Sequence, residues 1–203
     1  IGAGRTDTGV HAKQLFAHFD STATFKIENL KFKINKFLPS DVSCSSLTKV
    51  NNEAHARFSA TARTYEYWIT TNKDPFLENK AYHFIHSLNV EVMNKACKSL
   101  LKHTDFSCFS KSNTDTHTNN CSITIAKWEQ KQDELIFSIK ADRFLRNMVR
   151  AIVGTLLDVG KGKINPEQVK EIIAKKDRRE AGTSVPAHAL FLTKVEYPKE
   201  SML

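Results

Sequence analysis

Residues able to do chemistry are densest at the beginning of the chain, in Gly2-Ala3-Gly4-Arg5-Thr6-Asp7-Thr8-Gly9-Val10-His11-Ala12. Glycines at 2, 4 and 9 let the backbone take positive φ and come close to a ligand. Gly4 and Gly9 have the spacing of a phosphate-binding loop. Val10-His11 follows, however, where such a loop needs Lys and a hydroxyl residue. A dinucleotide fingerprint is excluded too, because no strand and helix flank a G-x-G-x-x-G. What remains is Asp7 between two threonines, with Arg5 two positions earlier. A carboxylate there can serve as a nucleophile or a general base. It can also close an Asx-turn on its own backbone, which is the commoner use of such an Asp when local residues alone are weighed.

Other polar side chains sit where apolar elements could carry them. Phe144 to Val159 reads as one long helix, ended by Gly160. At about 100° per residue, Leu145, Val149, Ile152 and Leu156 form one face, and Arg150 falls at its margin. From there a guanidinium can reach a partly enclosed site or snorkel to water. Thr64 to Thr71 is β-branched and aromatic and reads as a strand. Tyr65 and Tyr67 share one face of it, Glu66 and Trp68 the other. Two tyrosines on one face fit a core at least as well as a base-stacking platform. Arg57 and Arg63 lie just before and at the edge of this strand, placed to contact phosphate or to hold their own loop. His11 reads as a loop histidine bonded to backbone, with no catalytic role. His103, Cys108, His117 and Cys121 are close in sequence, but their spacings match no common zinc motif, and no metal is expected.

The elements that must position these residues follow from periodicity and stop signals. Gln14 to Phe19 alternates, with Leu15, Ala17 and Phe19 on one face, as a half-buried strand would. Leu30, Ile34 and Phe37/Leu38 have helical spacing, and Pro39 stops the run. Val42 to Val50 reads as a strand. Asn89 can cap a helix reaching about His103, on which Val92, Ala96 and Leu100 stack beside Met93, Cys97 and Leu101. Ser110 to Asn120 is polar and reads as a loop. Cys121 to Trp128 and Leu135 to Ala141 are strands joined by a turn near Lys131 to Glu134. Asn165-Pro166 opens a further helix with Val169, Ile172 and Ile173 as its stripe. Leu190 to Tyr197 closes the chain as a strand. The sum is an α+β chain with mostly antiparallel strands and helices on one face. The weak change of composition near Asn51-Asn52 divides it into 1–50 and 51–203.

Composition narrows the partners. Thirty Lys and Arg against 22 Asp and Glu give a net charge of +8, which suits a polyanion such as nucleic acid. Lys161, Lys163, Lys175, Lys176, Arg178 and Arg179 are its local concentrations. No run of about 18 apolar residues exists, so no membrane span is expected. The four cysteines form no C-x-x-C pair, and no secretion signal is visible, so reduced thiols in a cytoplasm are expected. The first residue is Ile1 rather than Met, so a processed or truncated N-terminus is expected.

Read as a whole string, GRTDTGVHA resembles the catalytic signature of the tRNA pseudouridine synthase A family. Residues 56–67 (ARFSATARTYEY), Asp105-Phe106-Ser107 with Phe109, and Asn147 to Gly154 resemble further motifs of that family, in the same order. Gly182 to Leu192 is similar to its C-terminal segment, with Ala189 where Gly is usual. The resemblance covers essentially the whole chain. It implies a pseudouridine synthase fold, with two subdomains around a basic cleft, and a cytoplasmic homodimer holding tRNA. The reaction implied is isomerisation of uridines 38 to 40 of the anticodon arm, without cofactor or metal. Residue by residue, Asp7 matches the essential aspartate and Arg150 its basic partner. Tyr65 matches the tyrosine that stacks on the target base, and Arg5 the arginine that helps to open the RNA. Family members carry a strand and helix before the glycine-rich motif, so the 1–50 subdomain is expected to be incomplete.

Those roles make physical sense. The C1′–N1 bond must break and the uracil rejoin through C5, so the base has to leave its stack, at a cost of a few kcal/mol. Stacking on a tyrosine recovers about 1–3 kcal/mol. A guanidinium beside the aspartate would keep it charged in a site closed around a base. Arg57 and Arg63 as phosphate contacts would add salt-dependent affinity without sequence choice. Two other readings stay open: an RNA-binding module without catalysis, and a synthase acting on another RNA.

Overall fold

The computed structural model describes residues 1–111 and 117–199. Its centre is strand β2 (Ala62–Thr70), which the aromatic and β-branched run predicts. β4 (Ile123–Lys131) and β5 (Glu134–Ala141) form a hairpin whose two-residue loop places Gln132 at φ 53°. Leu135, Phe137, Ile139 and Ala141 of β5 alternate inward, as the period of two requires. β2 runs antiparallel to β5 on one side and to β6 (Leu190–Glu196) on the other. Two short parallel pairs complete the sheet. β1 (His11–Ala12) lies beside β6, and β3 (Tyr82–His83) beside the end of β2. The order is β1-β6-β2-β5-β4, a mixed and mostly antiparallel sheet in an α+β chain.

Helices α2 (Val90–Leu100), α3 (Met148–Gly160) and α4 (Gln168–Lys175) pack together over one face of this sheet. Asn89 caps α2, its side chain accepting from the Val92 amide at 3.1 Å. Met93, Ala96, Cys97 and Leu100 of α2, eleven residues of α3, and Val169, Ile172 and Ile173 of α4 are buried. Beneath them lie Tyr67, Ile69, Phe137 and Ile139 of the sheet. Each large apolar side chain removed from water there contributes about 1.5–3 kcal/mol. Helix α1 (Ile27–Phe37) is where the Leu30/Ile34 spacing puts it, but it buries no side chain. Among the described residues no helix is long and apolar enough to cross a membrane.

The four cysteines are free. Burial pushes the thiols of Cys97, Cys108 and Cys121 up to about 12, which makes them packing groups rather than nucleophiles. Among the described residues no group of three or more His, Cys, Asp or Glu could hold a metal ion.

Several expected elements come out differently. Gln14–Phe19 is not a strand; the Lys13 and Gln14 amides both turn to the Leu192 carbonyl, so pairing with β6 stops after Ala12. The chain then meets its own beginning, with Ala3 N donating to Phe16 O at 2.8 Å and His18 N to Ile1 O at 2.9 Å. Leu15 and Phe19 are exposed, and Phe16 packs inward against Ala3, Leu192 and Val195. Val42–Val50 is irregular as well. At its Cys44 the backbone is paired by a side chain, with Asn35 Oδ1 accepting at 2.7 Å and Asn35 Nδ2 donating at 2.9 Å. Helix α3 begins at Met148, four residues later than the apolar pattern suggests, because Asn147 is left-handed at φ 66° and breaks the helical path. Asn165-Pro166 forms a turn before α4 rather than its first residues. The expected loop over Ser110–Asn120 falls partly on residues 112–116, outside the described residues.

Candidate active site

Asp7 and Arg150 are far apart in sequence and adjacent in space. Arg150 Nη1 donates to Asp7 Oδ2 at 2.7 Å, with the two side chains 22% and 25% exposed. Asp7 reaches this point from a turn that its own carbonyl closes, accepting from Val10 N at 3.1 Å. Gly9 stands in that turn at φ 87°, where an L side chain is disfavoured. The turn leads directly into β1, so the parallel pairing with Phe191 and Leu192 fixes where the Asp7 loop stands. Arg150 lies in the first turn of α3, at the helix margin the sequence assigns it. Its Nε donates to Val185 O at 2.7 Å, so two faces of the guanidinium are engaged in different directions. A guanidinium at this distance makes a short charge-assisted hydrogen bond that fixes the direction of the carboxylate.

The Val185 carbonyl belongs to a segment, residues 182–189, that sequence reading missed as part of the site's frame. This segment rests on α3 with backbone against backbone. A Cβ on Gly154 would stand 1.8 Å from Thr183 O, and one on Gly182 2.7 Å from Thr155 N. Gly182 N also donates to Thr155 Oγ1 at 2.8 Å. Tyr67, fully buried on β2, donates its hydroxyl to Pro186 O at 3.0 Å. Glycines at 154 and 182 are the one sequence signal that could have revealed this contact.

Tyr65 lies two residues along β2, half-buried, with its ring edge-on to Phe144 at 5.2 Å. Burial raises its phenol above the ordinary value, Arg63 opposes that, and the Asp7 charge adds to it. Arg5 is exposed on the Asp7 loop. Arg57 is half-buried, its guanidinium 5.3 Å from the ring centre of exposed Phe58. Arg63 donates to Asp142 O at 3.1 Å, Ala3 O at 3.0 Å and Arg57 O at 2.6 Å. That clamps the glycine-rich opening to the 57–63 segment and to the end of β5. Burial accordingly lowers its affinity for the proton. Asp7, Arg150 and Tyr65 are thus brought together, whereas Arg57 and Arg63 meet behind the loop at Ala3. His11 Nε2 lies 2.8 Å from Asn79 O and its ring stacks on Phe191 at 4.8 Å, matching the reading of a backbone-bonded histidine.

Four of the six lysines and arginines singled out by charge are paired with acids, and Arg178 instead donates to Ala181 O and Ser184 Oγ. Lys161 meets Asp158, Lys175 meets Glu180, Lys176 meets Asp105 and Arg179 meets Asp177, all at 2.6–2.8 Å. Lys161 stands eleven residues beyond Arg150, roughly 16 Å along the helix axis. A shallow concavity of about 440 Å³ between the start of α2 and Gly160 lies at that far end, away from Asp7.

With this geometry in hand, the similarity to known proteins becomes specific. The family model described as tRNA pseudouridine synthase matches residues 96–198. A tRNA pseudouridine synthase A of Parabacteroides distasonis is 53% identical over 203 residues, covering 98% of this chain and 80% of that protein. The chain belongs to the tRNA pseudouridine synthase A family. A tRNA pseudouridine synthase A of Bacteroides thetaiotaomicron is 50% identical, over 98% of this chain and 76% of that protein. In Bacillus subtilis the synthase A is 39% identical, over 97% and 81%. Of the synthase motifs resembled, those at 4–12, 56–67, 147–154 and 182–192 converge on the Asp7–Arg150 pair or on its supports, and the one at 105–109 does not.

Proposed function

We propose that this enzyme isomerises uridine to pseudouridine at positions 38 to 40 of the tRNA anticodon arm, with Asp7 as its essential carboxylate. The observation that carries the reading is the 2.7 Å pairing of Asp7 with Arg150. Arg150 holds the carboxylate aimed. Tyr65, on the neighbouring strand, offers a face on which a uracil withdrawn from its stack can rest. Arg5, exposed on the same loop, would occupy the gap the base leaves. Arg57 contributes charge toward the backbone, and Arg63 keeps the loop and the 57–63 segment in register. Each of these steps uses side chains of the chain itself. By its family resemblance the enzyme works as a homodimer with one tRNA across both subunits, which sedimentation with and without tRNA would test.

The test of the function compares the parent with Asp7→Asn on an unmodified tRNA transcript carrying uridines at 38 to 40. Asn keeps the shape and removes the charge. Pseudouridine from the parent, none from Asp7→Asn, and equal tRNA binding is the expected result. Product at other positions would move the target, and no product from either protein would favour an RNA-binding module.

A further inference from the structure

Four residues, Val185 to His188, bridge Arg150 on one side and Gly9, two positions after Asp7, on the other. Val185 O accepts from Arg150 Nε at 2.7 Å, and Val185 N donates back to Arg150 O at 3.3 Å. On the other side, the space above Gly9 is closed by Ala187 Cβ at 3.7 Å and His188 N at 3.9 Å from a Cβ position. The same segment is pressed onto α3 at Gly154 and Gly182. From below, among the described residues, one polar contact from the sheet supports it, Tyr67 Oη to Pro186 O at 3.0 Å. Tyr67 is 0% exposed and packed on all sides, and burial pushes its phenol far above the ordinary range, so the hydroxyl is a donor throughout the working pH range.

We infer that Tyr67 is a positioning residue for the reaction. Through Pro186 it holds the 185–188 segment at the height that aligns Arg150 with Asp7. The inference rests on the Asp7 reading above. It assigns the second tyrosine of the strand a part different from that of Tyr65. Tyr65 presents its ring to substrate, whereas Tyr67 is out of reach of any RNA and acts through two carbonyls and a guanidinium. Removing its hydroxyl leaves the Pro186 carbonyl without its donor and frees the segment to settle by a fraction of an ångström. Displacements of that size at a reacting pair have large effects on rate.

The experiment uses the whole enzyme with Tyr67→Phe, which removes one oxygen and keeps the ring. Single-turnover pseudouridine formation and tRNA binding are measured beside Asp7→Asn and beside Ile69→Val. Ile69 is equally buried on the same strand face, and its apolar side chain can give the segment no hydrogen bond, so its variant reports loss of packing alone. The expected result is a fall of about 10- to 100-fold in the rate of chemistry for Tyr67→Phe, with tRNA affinity unchanged. Ile69→Val should react at the parent's rate. A second arm uses Arg150→Lys, which keeps the charge but gives up the bond to Val185. In that background Tyr67→Phe should cost far less, because the two act in series. A Tyr67→Phe rate equal to the parent's, with Asp7→Asn inactive, would overturn this inference and leave the Asp7 reading standing. A slowing matched by Ile69→Val, or fully additive with Arg150→Lys, would also overturn it. An Asp7→Asn enzyme as active as the parent would overturn both.

Discussion

At Asp7 the residue type alone was ambiguous, because an Asp between threonines on a glycine-rich loop serves turns as well as chemistry. The fold resolves this by giving the turn to the Asp7 carbonyl and the carboxylate to Arg150. The margin position of Arg150 was legible from helical periodicity. The supporting role of Tyr67 was not, since its partner is a backbone carbonyl 119 residues away that no side-chain pattern announces. A different carboxylate yields a prediction at this scale. Lys176 first, and Ser107 after it, hold the Asp105 carboxyl down at about 2, against an ordinary 3.8. A carboxyl with a lowered value stabilises the fold above its unfolded value and loses that contribution as pH falls. The contribution of Asp105 should therefore be complete above about pH 4 and disappear between about pH 4 and pH 2. Asp105→Asn should be less stable than the parent at pH 7 and equal to it near pH 2, as read from urea midpoints across that range. A constant difference at all pH values would mean the Asp105 charge has no part in it.

Among the elements, β2, β5, β6, α2 and α4 followed from alternation, caps and stripes, because tertiary packing there reinforces local preference. Those misread are the ones whose backbone partners are unusual. Gln14–Phe19 has a strand's alternation but finds no continuing ladder, and 42–50 has its Cys44 paired by the Asn35 side chain instead of a neighbouring strand. The apolar run into α3 hid the left-handed Asn147, whose side chain reaches Ser184 Oγ at 2.6 Å. The junction of α3 with the 182–189 segment depends on a missing Cβ at Gly154. Gly154→Ala would drive a methyl into the Thr183 carbonyl, and the segment would have to lift. Overpacking of this kind costs about 1–3 kcal/mol, and here activity should fall as well because Val185 moves away from Arg150. Thermal melts and initial rates on the same samples check it; full activity with a lowered melting temperature would separate the junction from the site.

Over the whole molecule, order is unevenly distributed. The large core is drawn from buried residues between Tyr67 and Leu190, while α1 buries no side chain and leaves Phe32 and Phe37 60% and 90% exposed. Hydrogen exchange should therefore separate α1 from the central sheet. Amides of α1 should open at close to no free-energy cost, and those of β2 and β5 near the global value of about 5–15 kcal/mol. Protection of α1 equal to that of β5 would show that it is held far better than its exposed side chains suggest. The parallel pairing of β1 with β6 bears on how the enzyme is born. The two strands are separated by roughly 180 residues of chain, a long-range contact of the kind that closes slowly. At ribosomal speeds β6 is synthesised roughly 10–35 s after the Asp7 loop has emerged. During that interval the nascent polypeptide carries the aspartate without the strand that seats it or the arginine that aims it. Catalytic competence should thus switch on only once residues 190–196 have left the ribosome and paired with β1.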